Sequence, residues 1–289
     1  MARAAVPRRL TWLVATVKET REETATARTL TLDVPGWPGH QAGQHVTVKL
    51  TAEDGYSTQR DYSIASAPEA GRLEITVQRL ADGEVSPYLA GIAEPGDQFE
   101  VRGPIGGWFA WPGNDPRPLL LLAGGSGIVP LMSMIRAHEQ VKSQVPVRLI
   151  YSARTPADVI YADELSERVR VSPLTVVTFL YTRLTRWRKT PAEVTRDSEV
   201  GGAPRDGALV SAAPDQPAEP GAGQARRRLR GYAGRLSADV LAKTAFPPEL
   251  NPAVFACGPS GFVEAASDLL VAAGYAPGTI KTERFGPTS

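Results

Sequence analysis

Hydrophobic and polar positions alternate in short runs along the first part of the chain. Six runs of strand length are separated by Gly, Pro and Asp, at residues 10–17, 26–34, 44–50, 60–66, 72–80 and 97–103. A period of two is typical of strands that bury one face, and short strands at regular spacing favour a small antiparallel barrel. We therefore expect residues 1–115 to form an antiparallel β-barrel domain.

The pattern changes after Pro118. Apolar runs that begin at Leu119, Val147 and Ala253 are each followed by a segment with apolar residues at helical spacing. Strands that alternate with helices of this length indicate βαβ units and a parallel sheet. The sequence therefore predicts a second domain, α/β with a parallel sheet, over residues 116–289.

Residues 190–223 interrupt the second domain. This segment contains five prolines, five glycines and no aromatic residue, so it has little apolar surface to offset the entropy lost on ordering. We expect a flexible insertion. The arginine-rich clusters at 183–189 and 226–230 leave two interpretations open, solvated loop edges or a docking surface for an acidic partner.

Composition narrows the possible classes of protein. Hydrophobic residues make up 42% and charged residues 22% of the 289 positions, which excludes a wholly disordered or collagen-like chain. A net charge of +1 provides no overall field to gather nucleic acid or anionic lipid. We expect no nucleic-acid partner.

Candidate metal ligands are few. The chain has one cysteine, Cys257, and three scattered histidines, His40, His45 and His138. These residues cannot build a cysteine-ligated zinc or iron–sulfur site, so we expect no metal site and an organic cofactor for any redox chemistry. A lone thiol is compatible with the reducing cytoplasm, which is the default localisation.

The N-terminal apolar stretch at 10–17 follows three arginines, so a signal peptide is an alternative to a strand. Its strand-like alternation, the lack of a small-residue cleavage site and the charged residues after it favour the strand. No segment approaches the ~18 apolar residues that span a bilayer, and no membrane span is expected.

Two short motifs could carry chemistry. In the string RDYSIAS, an arginine, an aromatic ring and a hydroxyl could pair with a phosphate, stack on a flat heterocycle and hydrogen-bond to it. The string AGGSGIVP follows an apolar strand and begins a helix, where backbone N–H groups and the helix N-terminus favour a pyrophosphate. The alternative for the first string is an ordinary strand with one polar face. The alternative for the second string is a tight turn without a ligand, because that string lacks the full GxGxxG spacing.

Seven strings, taken in chain order, resemble the ferredoxin–NADP reductase superfamily of FAD-dependent oxidoreductases. They are RDYSIASAP, GEVSPYL, GPIGGWF, LLAGGSGIVPLMSMIR, YSARTPADVIYADEL, AVFACGPSGFVEA and TERFG. The likeness is greatest to stand-alone ferredoxin-reductase-like proteins and to oxygenase reductase components without an iron–sulfur domain. It implies an FAD-dependent NAD(P)H:acceptor oxidoreductase, in which hydride passes from NADPH or NADH to flavin N5 and electrons then leave for an external acceptor.

The resemblance implies roles for residues of the first domain. Arg60 would pair with the FAD pyrophosphate, Tyr62 would pack against the isoalloxazine, and Ser63 would hydrogen-bond near N5. The other FAD-binding positions implied are Ile64, Gly83, Val85, Ser86, Gly103, Pro104 and Gly106. Without the resemblance, Ser86 followed by Pro87 would be an ordinary helix cap, and GPIGG would be a simple turn.

In the second domain the resemblance implies a nicotinamide-nucleotide site and residues that close over the flavin. The nucleotide-binding positions implied are Gly124, Gly125, Gly127, Pro130, Ser152, Arg154, Cys257, Gly258 and Pro259. Glu283 and Phe285 would lie near the flavin, with Phe285 covering its ring. The implied catalytic residues are Ser63, Cys257, Glu283 and Phe285. An inert buried cysteine and a core aromatic are the alternatives for Cys257 and Phe285.

Nucleotide choice depends on the end of the strand that contains Ser152 and Arg154. An arginine there can neutralise a 2′-phosphate, and no carboxylate occupies 152–157, so NADPH is favoured. NADH stays the alternative because Asp158 follows closely.

Two functions from different classes follow from the resemblance. The first is an electron-transfer enzyme, a monomer whose partner is a redox protein acceptor such as ferredoxin or an oxygenase component. The second is a flavin-binding redox sensor or interaction protein without rapid turnover. The glycine-rich loop and the CGP string favour turnover.

Overall fold

The structure is a computed structural model that describes residues 10–69, 71–184, 209–210 and 228–285. The chain divides into two compact units. The first contains residues 1–22, 26–113 and 132–142, and the second contains residues 23–25, 114–131 and 143–289.

The first unit is built on six strands. They are β1 Trp12–Thr24, β2 Ala27–Asp33, β3 His45–Thr51, β4 Ser57–Ser63, β5 Arg72–Gln78 and β6 Gln98–Ile105. They pair in the order β4-β3-β6-β1-β2-β5. An isolated antiparallel bridge between Ile64 and Ile75 links the two ends of that order, so the sheet closes into the barrel that the sequence predicts. Helix α1, Ser86–Gly91, lies between β5 and β6 along the chain.

Strand β1 continues past the predicted apolar run into a charged stretch. Its outward side chains find partners on β2, where Lys18 pairs with Asp33 at 3.3 Å and Glu22 pairs with Arg28 at 2.8 Å. Cross-strand pairs of opposite charge support a strand whose own residues have weak β propensity. The strand interpretation of the N-terminal stretch is therefore confirmed.

The second unit contains a seven-stranded sheet. Its strands are β7 Leu119–Gly124, β8 Val147–Ala153, β9 Thr175–Tyr181, β10 Leu209–Val210, β11 Leu229–Ala233, β12 Ala253–Pro259 and β13 Ile280–Phe285. The α-helices that follow β7 along the described chain are α2 Ile128–Gln140, α3 Ala162–Val171, α4 Ala238–Thr244 and α5 Ser260–Ala272. From Met132 onward, α2 belongs to the first unit.

The strand order of this sheet is β10-β11-β9-β8-β7-β12-β13. Neighbouring strands of this sheet are parallel except β10 with β11, which confirms the α/β prediction. After β7, the chain adds β8 and then β9 on one side of that strand, and it later adds β12 and then β13 on the opposite side. The border between β7 and β12 is thus a topological switch point, where ligands of open α/β sheets bind at the carboxyl ends of the strands.

Most of the predicted flexible insertion at 190–223 lies outside the described residues. The structure describes only its residues Leu209–Val210, which pair with β11. In the flanking basic clusters, Arg228 donates to the Ser172 carbonyl and Arg230 to the Lys243 carbonyl. In the described parts of the chain, no helix is long and apolar enough to cross a membrane.

Candidate functional site

The end of β4 is where the first unit gathers its predicted site residues. Ser63 pairs with His45 on β3, and His45 pairs in turn with Ile105 on β6. A Cβ on Gly106 would lie 3.5 Å from the His45 ring, so the GPIGG turn lies beside the same rung of the sheet. From the sequence, His45 is a candidate only as a metal ligand. Its position beside Ser63 could not be predicted, because it follows from the register of the strands.

Ser63 is buried, with 5% of its surface exposed. Its hydroxyl has no hydrogen-bond partner among the residues that the structure describes. Leaving a buried polar group unpaired costs about 1–3 kcal/mol, so such a group calls for a partner. A ring nitrogen of a bound ligand would satisfy the hydroxyl, and the residues present therefore fit the flavin that the sequence implies.

Arg60 meets the segment that precedes α1. Its guanidinium lies 3.1 Å from a carboxylate oxygen of Glu84, which also accepts hydrogen bonds from the hydroxyls of Tyr56 at 2.9 Å and Thr58 at 3.2 Å. The Tyr56 hydrogen bond is the main reason that the pKa of Glu84 is lowered. The structure thus brings Arg60 beside the predicted GEVSPYL element, through a carboxylate that the sequence did not single out.

Ser86 does not cap α1 as an ordinary cap residue would. The N-cap is Val85, which makes no side-chain cap hydrogen bond, and the Ser86 hydroxyl instead accepts the Leu80 N–H at 3.1 Å. A Cβ on Gly83 would lie 2.8 Å from that hydroxyl oxygen. The helix-cap alternative for Ser86 is therefore wrong, because its hydroxyl holds the preceding turn.

Tyr62 packs partly buried against the barrel core. Burial raises the pKa of its phenol, so the ring stays neutral and suits packing against an uncharged heterocycle. Gly103 is close to β3, since a Cβ there would lie 3.2 Å from the His45 carbonyl oxygen. Gly103 and Pro104 are the last two residues before β6 ends at Ile105, and β3 thus holds them near Ser63.

The predicted residues of the second unit meet at the carboxyl edge of its sheet. In the registers of the parallel strands, Gly124 pairs with Ser152 and Cys257 pairs with Glu283. Phe285 pairs with the residue two positions after Cys257, Pro259. The glycine-rich turn and the CGP string lie on the two strands that border the switch point.

Two glycines of this turn serve different purposes. A Cβ on Gly127 would lie 2.1 Å from the Cys257 carbonyl oxygen, so this glycine allows the turn to pack onto β12. Gly125 has a φ of +55° and no atom within 4 Å of an added Cβ, so it allows the conformation of the turn and leaves open space. Pro130 lies in the first turn of α2, where its missing N–H is harmless.

Cys257 is fully buried. Burial raises the pKa of its thiol, and the Glu283 carboxylate adds to the effect. The side chain therefore stays a neutral thiol and is unsuited to nucleophilic attack. This environment suits a residue that shapes a binding surface.

Arg154, at the end of β8, pairs with Asp158 at 2.6 Å. The hydroxyl and the N–H of Thr155 hold the other carboxylate oxygen at 2.6 and 3.1 Å. Burial is the largest influence on Asp158 and acts to raise its pKa, but these hydrogen bonds and the Arg154 charge together lower it. The cation at the predicted 2′-phosphate position therefore already has a fixed, ionised carboxylate beside it.

No group of three or more His, Cys, Asp or Glu side chains is placed to hold a metal ion in the described ranges of the chain.

Two family models match the chain. The Oxidoreductase FAD-binding domain matches residues 15–109, and the Oxidoreductase NAD-binding domain matches residues 121–200. The chain belongs to the ferredoxin–NADP reductase-like superfamily. Within this superfamily, β4 and α1 lie in the FAD-binding domain and the β7–α2 turn lies in the NAD-binding domain.

Similar proteins include oxygenase and ferredoxin reductases. The chain is 29% identical over 249 residues to the glycine betaine monooxygenase reductase subunit of Chromohalobacter salexigens, covering 85% of this chain and 56% of that protein. It is 38% identical over 133 residues to ferredoxin–NADP reductase B of Sorangium cellulosum, covering 46% of this chain and 53% of that protein. The chain thus spans about half the length of these curated relatives.

A solved structure with the same fold is the FAD/NAD-binding domain of nitric oxide dioxygenase from Vibrio cholerae. It aligns with a TM-score of 0.72 at 21% identity and covers 95% of this chain and 99% of that one. The likeness confirms the fold, a β-barrel domain followed by a parallel-sheet domain.

Proposed function

We propose that this protein is an FAD-dependent NAD(P)H oxidoreductase that delivers electrons to a separate redox protein. The observation that carries the proposal is the buried Ser63 hydroxyl, which lacks a partner among the described residues and lies at the end of β4, within the matched FAD-binding domain. We assign residues 1–115 to FAD binding and residues 116–289 to nucleotide binding.

When bound, FAD would supply the hydride acceptor and the store from which electrons leave. The protein's residues bind and orient the two rings. Arg60 would pair with the pyrophosphate, Tyr62 would support the ring as a neutral phenol, and Ser63 would donate to a ring nitrogen. Ile64, which forms the bridge to β5, anchors the end of this strand. No side chain is needed as a general acid or base in the transfer.

In the second domain the switch point would hold the nucleotide. The open side of Gly125 admits a phosphate to the start of α2, and the neutral Cys257 thiol, with Gly258 and Pro259, shapes the surface for the nicotinamide. We propose that Phe285 covers a ring face and that Glu283 assists a later proton movement. NADPH remains our proposed donor through Arg154, with NADH as the alternative.

The proposed electron acceptor is a redox centre outside this chain. One cysteine in 289 residues cannot ligate a four-thiolate cluster, so the electrons must leave this part of the protein for another centre. The names of the relatives support ferredoxin or an oxygenase component as that acceptor. We further propose that the protein is monomeric and cytoplasmic.

An anaerobic titration of the purified protein tests the proposal. We expect one FAD per chain, a flavin absorbance that NADPH or NADH bleaches, and its recovery when oxidised ferredoxin is added. Bound flavin that neither nucleotide reduces would favour the redox sensor. A protein that cannot be reconstituted with FAD would contradict both functions.

A further inference from the structure

Ala65 and Ser66, two and three positions after the end of β4 at Ser63, are held by side chains from distant parts of the chain. The Ser66 carbonyl accepts hydrogen bonds from the Ser133 hydroxyl at 2.6 Å and from a His40 ring nitrogen at 3.1 Å. The Ala65 carbonyl accepts one from the Arg136 guanidinium at 2.9 Å. These residues all belong to the first unit, and Ser133 and Arg136 lie on one face of α2, three positions apart.

Glu74, on β5, completes the arrangement. Its carboxylate lies 2.9 Å from Arg136, and the two side chains are only 11% and 12% exposed. The backbone of Glu74 also binds Ala65 and Ser66. Its carbonyl accepts the Ala65 N–H at 2.7 Å, and its N–H donates to the Ser66 hydroxyl at 3.1 Å. One carboxylate residue and one arginine thus enclose residues 65 and 66 from two sides.

A buried ion pair contributes little net stability, since desolvation of two charges opposes their attraction. Such a pair does fix geometry, because each side chain constrains the other, and the Glu74 carboxylate is held further by a second ion pair with Arg72 at 2.8 Å. Here the fixed object is the backbone two residues after Ser63, whose hydroxyl must be aimed to within a fraction of an ångström to serve a ring nitrogen.

We propose that Arg136, Glu74 and Ser133 are positioning residues for the Ser63 hydroxyl. They hold residues 65 and 66 so that this hydroxyl points at flavin N5. The inference rests on the proposed function, since it requires a flavin beside Ser63. Arg136 acts through Ser63 and not by contact with the flavin.

The test uses the full chain reconstituted with FAD that carries nitrogen-15 at N5. The N5 resonance reports the hydrogen bond that the ring nitrogen accepts. We compare Ser63→Ala, Arg136→Met and the double variant. Both single variants should move the resonance in the same direction, and the double variant should match Ser63→Ala alone, because Arg136 has nothing left to position.

Arg28→Met is the matched control. Arg28 is also a largely buried arginine of the barrel that bridges a carboxylate, Glu22, and a backbone carbonyl, that of Ala93. It makes these contacts away from residues 65 and 66, so its loss should leave the N5 resonance unchanged. The limiting rate of flavin reduction should fall about tenfold in Arg136→Met and stay unchanged in the control.

Ser133→Ala removes a single hydroxyl, and it tests the inference if Arg136→Met does not fold. It should shift the N5 resonance partway towards that of Ser63→Ala. The inference would be overturned if the N5 resonance did not change in Ser133→Ala or in Ser63→Ala. It would also be overturned if the shift in the double variant were the sum of the shifts in Arg136→Met and Ser63→Ala. Failure of the wild-type protein to bind FAD would instead overturn the proposed function.

Discussion

At the scale of single residues, the proposed flavin-binding cation is shared with a carboxylate. Arg60 is fixed beside Glu84 by a 3.1 Å ion pair. The Thr58 hydroxyl donates to the same carboxylate oxygen of Glu84, and the Tyr56 hydroxyl donates to the other oxygen. Glu84 therefore orients Arg60, and it would compete with the pyrophosphate of the proposed FAD for the charge of Arg60.

Replacing Arg60 tests this arrangement. Hydrogen bonds to charged groups contribute about 1.5–3 kcal/mol, so Arg60→Met should raise the FAD dissociation constant by about 10- to 100-fold. Glu84→Gln keeps the hydrogen-bond acceptor and removes the competing charge, so it should tighten FAD. Fluorescence titration of FAD measures both, with Arg170→Met, an exposed pair with Glu167, as the control. Equal FAD affinity in wild type and Arg60→Met would contradict the assigned role.

Nucleotide preference should depend on the Arg154–Asp158 pair. Arg154→Ala should raise the KM for NADPH much more than that for NADH, because only NADPH carries the 2′-phosphate. Asp158→Asn removes the neutralising charge and should shift the ratio of kcat/KM values towards NADPH. Steady-state kinetics with both nucleotides measure the two effects. Equal losses for both nucleotides in Arg154→Ala would reject the 2′-phosphate contact.

His40 should make stability depend on pH. Burial lowers its pKa from an ordinary value of 6.5, so below that value the unfolded chain takes up a proton that the folded chain does not. The free energy of unfolding should therefore fall as the pH drops below about 6.5, by at most about 1.4 kcal/mol per pH unit from this residue. In His40→Gln this slope should flatten in urea unfolding curves. The same slope in both proteins would assign the dependence to other groups.

At the scale of elements, local sequence predicted most of the fold. Alternation located the six barrel strands, and apolar runs followed by helical segments located β7, β8 and β12. The failure at Ser86 is instructive, because Ser followed by Pro is the usual signature of a helix start. In the structure the Ser86 hydroxyl instead accepts a hydrogen bond from the Leu80 N–H. The residues around Ser86 do not by themselves specify this contact with a residue six positions earlier.

The turn between β7 and α2 allows a direct test of packing. Gly127→Ala would place a methyl group 2.1 Å from the Cys257 carbonyl oxygen, and neither backbone can yield cheaply. We expect a loss of about 3 kcal/mol in the free energy of unfolding. Gly125→Ala meets no atom within 4 Å but has a φ of +55°, and should cost about 1–2 kcal/mol. Urea unfolding of both variants measures the difference, and equal losses would contradict the close approach.

At the scale of the whole molecule, the contacts that sequence reasoning missed join residues far apart in the chain. Arg60 and Glu84 are 24 positions apart, and Arg136 lies 71 positions from Ala65. No local pattern encodes such pairs, since they depend on how strands and helices pack. The site residues came from ordered motifs across the chain, whereas the residues that orient them came only from the structure.

The central claim is that this protein accepts hydride from a nicotinamide nucleotide on a bound flavin. The most direct measurement is anaerobic stopped-flow reduction of the FAD-loaded protein with NADPH and NADH, each with hydrogen or deuterium at the transferring C4 position. We predict that the flavin's visible absorbance falls rapidly with at least one nucleotide and more slowly when that nucleotide is deuterated. A flavin that dithionite bleaches but neither nucleotide does would contradict the account.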